Sequence, residues 1–222
     1  THRTNCIEQI GPSSIPLADK LDYCEEIYEK WGSPAIYKIN PLIGSSFDQK
    51  LTQRGYHMAH VTEVMTMELL NRKPANLSSP VILRSKISPA WLTALFSMKG
   101  TNNRTIVPSM YAAIPKDTIA AYVYDRDQII ATGLGILDRD YIGLYAIHVH
   151  ENYRGQGIGR NICSSILDAA MEQGASSAYL QVVKGNTPAK ALYSSLGFED
   201  FYTYWFRQQY PVSLTDNHPS DS

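Results

Sequence analysis

Three things are scarce in this sequence: charge of one sign, cysteine, and long apolar runs. Its 20 basic and 21 acidic residues give a formal net charge of −1 at pH 7, with no run of five or six like charges. So balanced a chain has no electrostatic reason to take nucleic acid or an anionic membrane as its main partner. No stretch approaches the roughly 20 apolar residues that cross a bilayer. The N-terminus lacks the charged-then-apolar order of a signal peptide, although Thr1 in place of an initiator Met leaves the true start open. The three cysteines, Cys6, Cys24 and Cys163, stand far apart with no CxxC spacing, which excludes a disulfide framework and favours a reducing compartment. Cys24 and Cys163 fall within apolar helical patterns, where a thiol acts as a small hydrophobe. Asn76-Leu77-Ser78 fits a glycosylation acceptor, but with no secretory signal it reads as chance. A cytoplasmic setting and no bound metal are the expectations.

What is present is an ordinary globular composition, 44% hydrophobic and 18% charged over 222 residues, enough for one large domain or two small ones. The most regular pattern lies between residues 81 and 207. Residues 81–84 read as a short strand. Ser88-Pro89 opens a helix to Met98 with the serine as cap, and a second short helix is expected over 105–113. Strands at 120–124 and 129–137 are joined by a turn at 125–128, and 141–149 is a nearly continuous apolar strand suited to a sheet centre. Ile158, Ile162, Ile166 and Ala170 then recur every four residues, predicting one helical face that Gly174 terminates. A strand at 178–183 follows. Asn186 caps a helix carrying Ala189, Leu192, Tyr193 and Leu196 at i, i+3, i+4 and i+7, and an aromatic strand covers 201–206. The tail from 209 to 222 is expected to be disordered.

Residues 1–75 acquire a meaning when compared with the end of the chain. Gly32 and Gly55 stand at the same spacing as Gly174 and Gly197. Each first glycine follows a helical pattern (Leu17, Leu21, Cys24, Tyr28 in the early case), and each precedes a short strand. Each second glycine leads through an aromatic, Tyr56 or Phe198, into another strand. This reads as a repeated helix–strand–helix–strand unit, in which Gly32 corresponds to Gly174 and Gly55 to Gly197. Under the same shift Asn186 falls on Gly44, Tyr193 on Leu51, and the segment 154–159 on Pro12-Ser13-Ser14-Ile15-Pro16-Leu17, which has no glycine.

The segment in question is Arg154-Gly155-Gln156-Gly157-Ile158-Gly159, between the apolar strand and a helix. A helix start offers free N–H groups and the positive end of a dipole, and glycines let a phosphate or diphosphate approach them. Arg154 adds a bidentate cation. The G-x-G-x-G spacing differs from the G-x-G-x-x-G of a dinucleotide fold, four strands precede it rather than none, and the Gly-Lys-Ser/Thr of a P-loop is absent.

Together with Val149-His150-Glu151-Asn152-Tyr153 before it, this loop resembles the Arg/Gln-x-x-Gly-x-Gly/Ala signature of the GNAT-type N-acetyltransferase superfamily. The segment from Asn186 to Tyr193, with Leu196-Gly197-Phe198, is similar to that family's second hallmark. The resemblance covers about residues 80–207. It implies an α/β (α+β mixed) GNAT fold in which a mixed sheet, flanked by helices, splays between strands 141–149 and 178–183. Residues 80–208 would form the catalytic domain, and 1–75 a degenerate GNAT-like αβαβ unit resembling its C-terminal half. That unit would narrow the acceptor cleft, pack on the domain, or lend it a strand such as 57–67. Acetyl-CoA would be the co-substrate, held by Arg154, Gly155, Gln156, Gly157, Ile158, Gly159 and Arg160. Main-chain groups of Ile147, His148 and Val149 would bind the pantetheine arm, with Asn186 and Tyr193 beside it.

The chemistry asks for three groups. A lysine-like amine, with a reference pKa of about 10.4, must lose a proton before attack. An oxyanion needs a donor, which the resemblance places at the Val149 N–H. A thiolate leaving group, pKa about 8.5, needs a proton, and Tyr193 lies at the family's acid position, although the helix pattern alone would also turn it inward as an apolar residue. The strand 141–149 has no carboxylate to serve as base. His148 is the candidate, with a purely structural role beside a helix as its alternative; Tyr145, Glu151 or ordered water are others. The expected acceptor is a small-molecule or peptide amine, bound by the segment 102–113 and the last strand, and a homodimer is admitted. A non-catalytic acyl-CoA sensor and a transferase for longer acyl chains are the competing readings.

Overall fold

The computed structural model describes residues 5–11, 13–76, 80–100 and 104–209. The expected disordered tail lies outside these residues apart from Gln209, as do part of the Asn76-Leu77-Ser78 tripeptide and the first residues of the acceptor segment. Two compact units divide the chain, one of residues 1–63 with 202–222, the other of residues 64–201.

In the larger unit the helices and strands follow the sequence pattern closely. Strands β4 (Ile82–Arg84), β5 (Thr118–Asp125), β6 (Gln128–Asp138), β7 (Tyr141–Val149) and β8 (Ser177–Val183) lie side by side in that order, with the second half of β3 (His57–Glu68) next to β8. β4 to β7 pair antiparallel, whereas β7 and β8 run parallel. Helix α3 (Pro89–Lys99) is capped as expected, the Ser88 hydroxyl accepting from Trp91 N at 3.1 Å, and α4 (Val107–Ala112) follows. Helix α5 (Ile158–Glu172) buries Ile158, Ile162, Cys163, Ile166 and Ala170 in a core shared with β5 to β8. Val64 to Glu68 supply Met65 and Met67 to that core, and Leu69 N donates to Ser176 O at 2.8 Å, fixing the strand there.

Glycine decides how closely α5 lies on the sheet. A methyl on Gly133 would stand 2.4 Å from Ile162 Cγ2, and one on Gly135 2.5 Å from Ile166 Cγ2. Burying the α5 isoleucines contributes on the order of 1.5–3 kcal/mol each, which outweighs the roughly 0.5–1 kcal/mol that a strand glycine costs. The opposite face carries a second core, in which Trp91, Leu95 and Phe96 of α3 meet Ala120 and Leu134.

The smaller unit holds β1 (Ile7–Glu8), α1 (Leu17–Lys30), β2 (Ile36–Ile39), α2 (Ser45–Gln53) and the first half of β3, with the part of β9 (Glu199–Gln208) from Tyr202 onward. β1 runs parallel to β2, and β2 antiparallel to β9. Its core is Leu21, Tyr28, Tyr37, Ile39, Phe47, Leu51 and Tyr56. Asp48 on α2 accepts from Arg207 Nη2 at 2.7 Å and Trp205 Nε1 at 3.0 Å, and the Arg207 guanidinium holds its carboxyl below the usual range. When the chain is shifted to bring Gly32 onto Gly174, α1, β2, α2 and β3 fall on 159–172, 178–181, 187–195 and 199–210. The observed elements there are α5, β8, α6 (Thr187–Leu196) and β9.

Candidate active site

β7 is irregular where a strand would be expected to be straight. Its pairing with β6 shifts register between Thr132 and Leu134, and Ala146 has φ 50°, a left-handed conformation that costs a residue with a Cβ. The buried Thr132 hydroxyl donates to the Ala146 carbonyl at 3.2 Å and holds the bulge. The extra residue resets the alternation of faces. Ile142 and Leu144 pack toward α5, Tyr145 and Ala146 both belong to the α3 core, and Ile147 and Val149 return to the α5 side. His148, between these two, is turned toward the α3 side.

The bulge sits where the sheet opens. The parallel pairing of β7 with β8 runs from Tyr141↔Ser177 to Leu144↔Leu180 and stops there, while β7 continues to Val149 and β8 to Val183. This is the splay expected of the sheet. His150 N donates to Ile130 O at 2.8 Å, so the alternation of an antiparallel ladder turns the main-chain groups of Val149 away from β6, toward the gap. Arg154 Nε already reaches Val149 O from that side, at 3.2 Å.

A short 3-10 turn, Glu151–Tyr153, leads into the glycine loop and is anchored by the Tyr153 hydroxyl donating to Asp125. His150 Nδ1 accepts from Asn152 N at 3.4 Å. Gly155 and Gly157 have φ 75° and 78°, which other residues rarely adopt. Gly157 is the N-cap of α5, no side chain caps that helix, and the first intrahelical bond is Asn161 N to Gly157 O at 3.0 Å. The N–H groups of Ile158, Gly159 and Arg160 therefore have no intrahelical acceptor. Gly159 acts differently from the other two: a methyl there would stand 3.3 Å from Leu192 and 3.7 Å from Val149. Arg160 spends its guanidinium on Ser195, 3.0 Å from its carbonyl and 2.7 Å from its hydroxyl, and Gln156 Nε2 donates to Asn152 O at 3.5 Å.

Asn186 caps α6, its Oδ1 accepting from Ala189 N at 3.3 Å, which leaves its amide donors for another partner. Tyr193 packs on the α5 core and edge-on to Phe198, with 6.2 Å between ring centroids. Burial raises its phenol pKa well above 10, with the Cys163 thiol a secondary cause. His148 is half-buried, and desolvation pushes its pKa down, helped by the charges of Lys99 and Arg154. It is therefore neutral near pH 7, the form that accepts a proton.

One pair on the α3 side has no counterpart in the sequence reading. The hydroxyls of Tyr145 and Tyr179 lie 2.6 Å apart where β7 leaves β8, and Gly143 admits both rings, a methyl there meeting each at 2.7 to 2.8 Å. Thr132 and Gly133 likewise carry the bulge without being marked by any motif. Isolated glycines within a strand pattern are the available signal. Among the described residues no group of three His, Cys, Asp or Glu side chains could hold a metal, and no helix is long and apolar enough to cross a membrane.

The sheet splayed beside a glycine loop and an uncapped helix start lies within a segment that comparison with known proteins assigns to a family. Residues 91–198 match the model of the Acetyltransferase (GNAT) family, so the chain carries an acetyltransferase domain of that family. An uncharacterized N-acetyltransferase, YobR of Bacillus subtilis (strain 168), is 23% identical over 200 residues, which is 88% of this chain and 81% of that protein. The [ribosomal protein bS18]-alanine N-acetyltransferase of Escherichia coli (strain K12) is 36% identical over 61 residues, 28% of this chain and 41% of that one. The crystal structure of a GCN5-related N-acetyltransferase from Sphaerobacter thermophilus superposes with a TM-score of 0.69 at 20% identity, covering 86% of this chain and 67% of that one.

Proposed function

We propose that this chain is an N-acetyltransferase that moves an acetyl group from acetyl-CoA to an amine by direct attack, in a cytoplasmic setting. The observation that carries this reading is the parting of β7 from β8 after Leu144 and Leu180, with the Val149 main chain turned into the gap and the bare start of α5 beside it. A diphosphate suits the N–H groups of residues 158–160, because Gly155 and Gly157 place no side chain over them and Arg154 adds charge. A pantetheine arm, itself a chain of amides, suits the strand-edge groups of Ile147 and Val149.

In this reading His148 takes the amine proton, its depressed pKa keeping it free to do so at neutral pH. The Val149 N–H donates to the oxygen that gains charge as the tetrahedral intermediate forms. Tyr193 then gives its proton to the departing thiolate. Burial weakens the phenol as an acid, so it gives up that proton only to a base formed beside it. The bonds balance: the ammonium gives one proton to His148 before attack and the acylated nitrogen gives a second to solvent, the C–N bond forms as the C–S bond breaks, and the sulfur leaves with the proton of Tyr193, which solvent restores. Tyr145 and Tyr179 line the acceptor side. The alanine α-amine of the Escherichia coli relative's substrate makes a peptide N-terminus one acceptor to try alongside small amines.

We further propose that residues 1–75 are a degenerate copy of the α5–β8–α6–β9 unit. The matching element bounds support this, as does the absence of glycine between residues 12 and 17. A β7 without a carboxylate also fits a sensor that binds acyl-CoA without turnover. Coenzyme A release, followed with a thiol reagent across a panel of amines and peptides, separates the two. Release dependent on an amine, and slowed in Tyr193→Phe with acetyl-CoA affinity unchanged, is the expected result. Tight acetyl-CoA binding with no release on any amine overturns the transferase reading.

A further inference from the structure

The smaller unit contains a cavity of about 360 Å³ that the acetyltransferase reading does not use. That volume lies in the range of small-molecule sites. Its apolar wall is made by Ile7, Leu17, Leu21, Cys24, Tyr37 and Phe47. Leu21, Tyr37 and Phe47 are 1%, 0% and 6% exposed, so the wall belongs to the unit's packed core and does not need to form around a ligand. The Tyr37 hydroxyl is buried within that core beside Tyr56, whose own hydroxyl donates to Glu25.

Two charged residues line the cavity, and they are not equivalent. Glu8 is already satisfied, accepting from Asn40 Nδ2 at 2.7 Å and paired with Lys38 Nζ at 3.3 Å. Lys20 is half-buried and has no acidic partner among the described residues. Its charge is felt at Cys24, on the same wall one turn away. The unspent charge of the cavity is therefore positive, on an otherwise apolar surface.

The topology around it is also informative. β1 runs parallel to β2 with Ile7 opposite Tyr37, as β7 runs parallel to β8 with Gly143 opposite Tyr179, the residue that corresponds to Tyr37 in the repeat. The order β1, connection, α1 thus parallels β7, loop, α5. The cavity lies among β1, the residues just after it and the first turns of α1. Here no glycine bares the helix start, so a diphosphate has no cradle, but space for an apolar chain remains.

We infer that this cavity binds an amphiphilic carboxylate, an aliphatic acid of medium chain length, with the chain among Leu17, Leu21, Cys24 and Phe47 and the carboxylate at Lys20. The site is separate from the one proposed for acetyl-CoA and does not rest on that reading. Calorimetric titration of the full chain with octanoate, octanol and octylamine tests it. Octanoate binds saturably at one site per chain, more tightly than the alcohol, and the amine binds least. Lys20→Met lowers octanoate affinity about five- to tenfold and leaves octanol unchanged, the size expected of one half-buried charge contact. Cys24→Trp, which fills the cavity, removes both. Saturating coenzyme A leaves octanoate affinity unaltered. Octanoate binding that is absent, indifferent to Lys20→Met, or displaced by coenzyme A overturns the inference.

Discussion

Two stretches of this chain build the same helix–strand–helix–strand with different ends. Their terminations agree hydrogen bond for hydrogen bond: Ser33 N to Tyr28 O corresponds to Ala175 N to Ala170 O, and Tyr56 N to Leu51 O to Phe198 N to Tyr193 O, all under the one shift that brings Gly32 onto Gly174. Gly32 and Gly55 have positive φ, as do Gly174 and Gly197. The helix starts disagree. α1 begins after Pro16 and α5 after the left-handed Gly157; α2 begins after Gly44 and α6 after the capping side chain of Asn186. Left-handed C-terminal glycines stop a helix and release the chain into a strand, and that is scaffold. Helix starts carry the unpaired donors, and those are where a bound anion gains its energy. The proposed degenerate copy has kept the first set and lost the second.

The contrast can be broken at matched positions. Gly157→Val is expected to have the largest effect, a loss of at least about 100-fold in kcat/KM, because a β-branched residue at positive φ rebuilds the loop; steady-state kinetics read it. Its counterpart Ile15→Val, at the exposed start of the early unit, should leave the rate unchanged. Next come the residues at one site in the two helices. Leu51 is 0% exposed, so Leu51→Ala should cost about 2–5 kcal/mol in urea unfolding. Tyr193→Phe keeps the packing and should leave stability within about 0.5 kcal/mol while lowering kcat about 10- to 100-fold. A smaller effect is expected of pH. The His148 pKa lies below 6.5, so the rate should be flat at neutral pH and fall only as pH drops through that lowered value. His148→Gln should remove that acid limb. The same burial makes the folded state bind fewer protons at His148 than the unfolded state, so its contribution to stability is lost as pH falls below about 6.5. Smallest is Asn186→Ala, which removes a cap and should cost about 1 kcal/mol in urea unfolding, while the equivalent Gly44→Ala should cost a few tenths.

Much of this was legible because the signals are local. Apolar spacing placed α5 and α6, the glycines closed them, and the loop at 154–159 announced a helix start without a side-chain cap. The matching spacing of Gly32 and Gly55 with Gly174 and Gly197, on which the proposed repeat rests, was legible in the same way. The bulge at Ala146 was not, since no residue in β7 marks it: its causes are Thr132 and Gly133 on the neighbouring strand. That bulge changes what His148 means, for alternation from Ile142 would have put it toward α5. The Tyr145–Tyr179 pair depends on a parallel strand distant in sequence and on the absence of a side chain at Gly143. The two-residue β1 was too short to carry any period.

Only one of the two units is proposed to hold the acyl-CoA machinery. Calorimetric titration of the intact chain with acetyl-CoA measures this directly. One molecule bound per chain, with binding lost in Gly157→Val, is the predicted result. Two per chain, or one that survives that substitution unweakened, contradicts it.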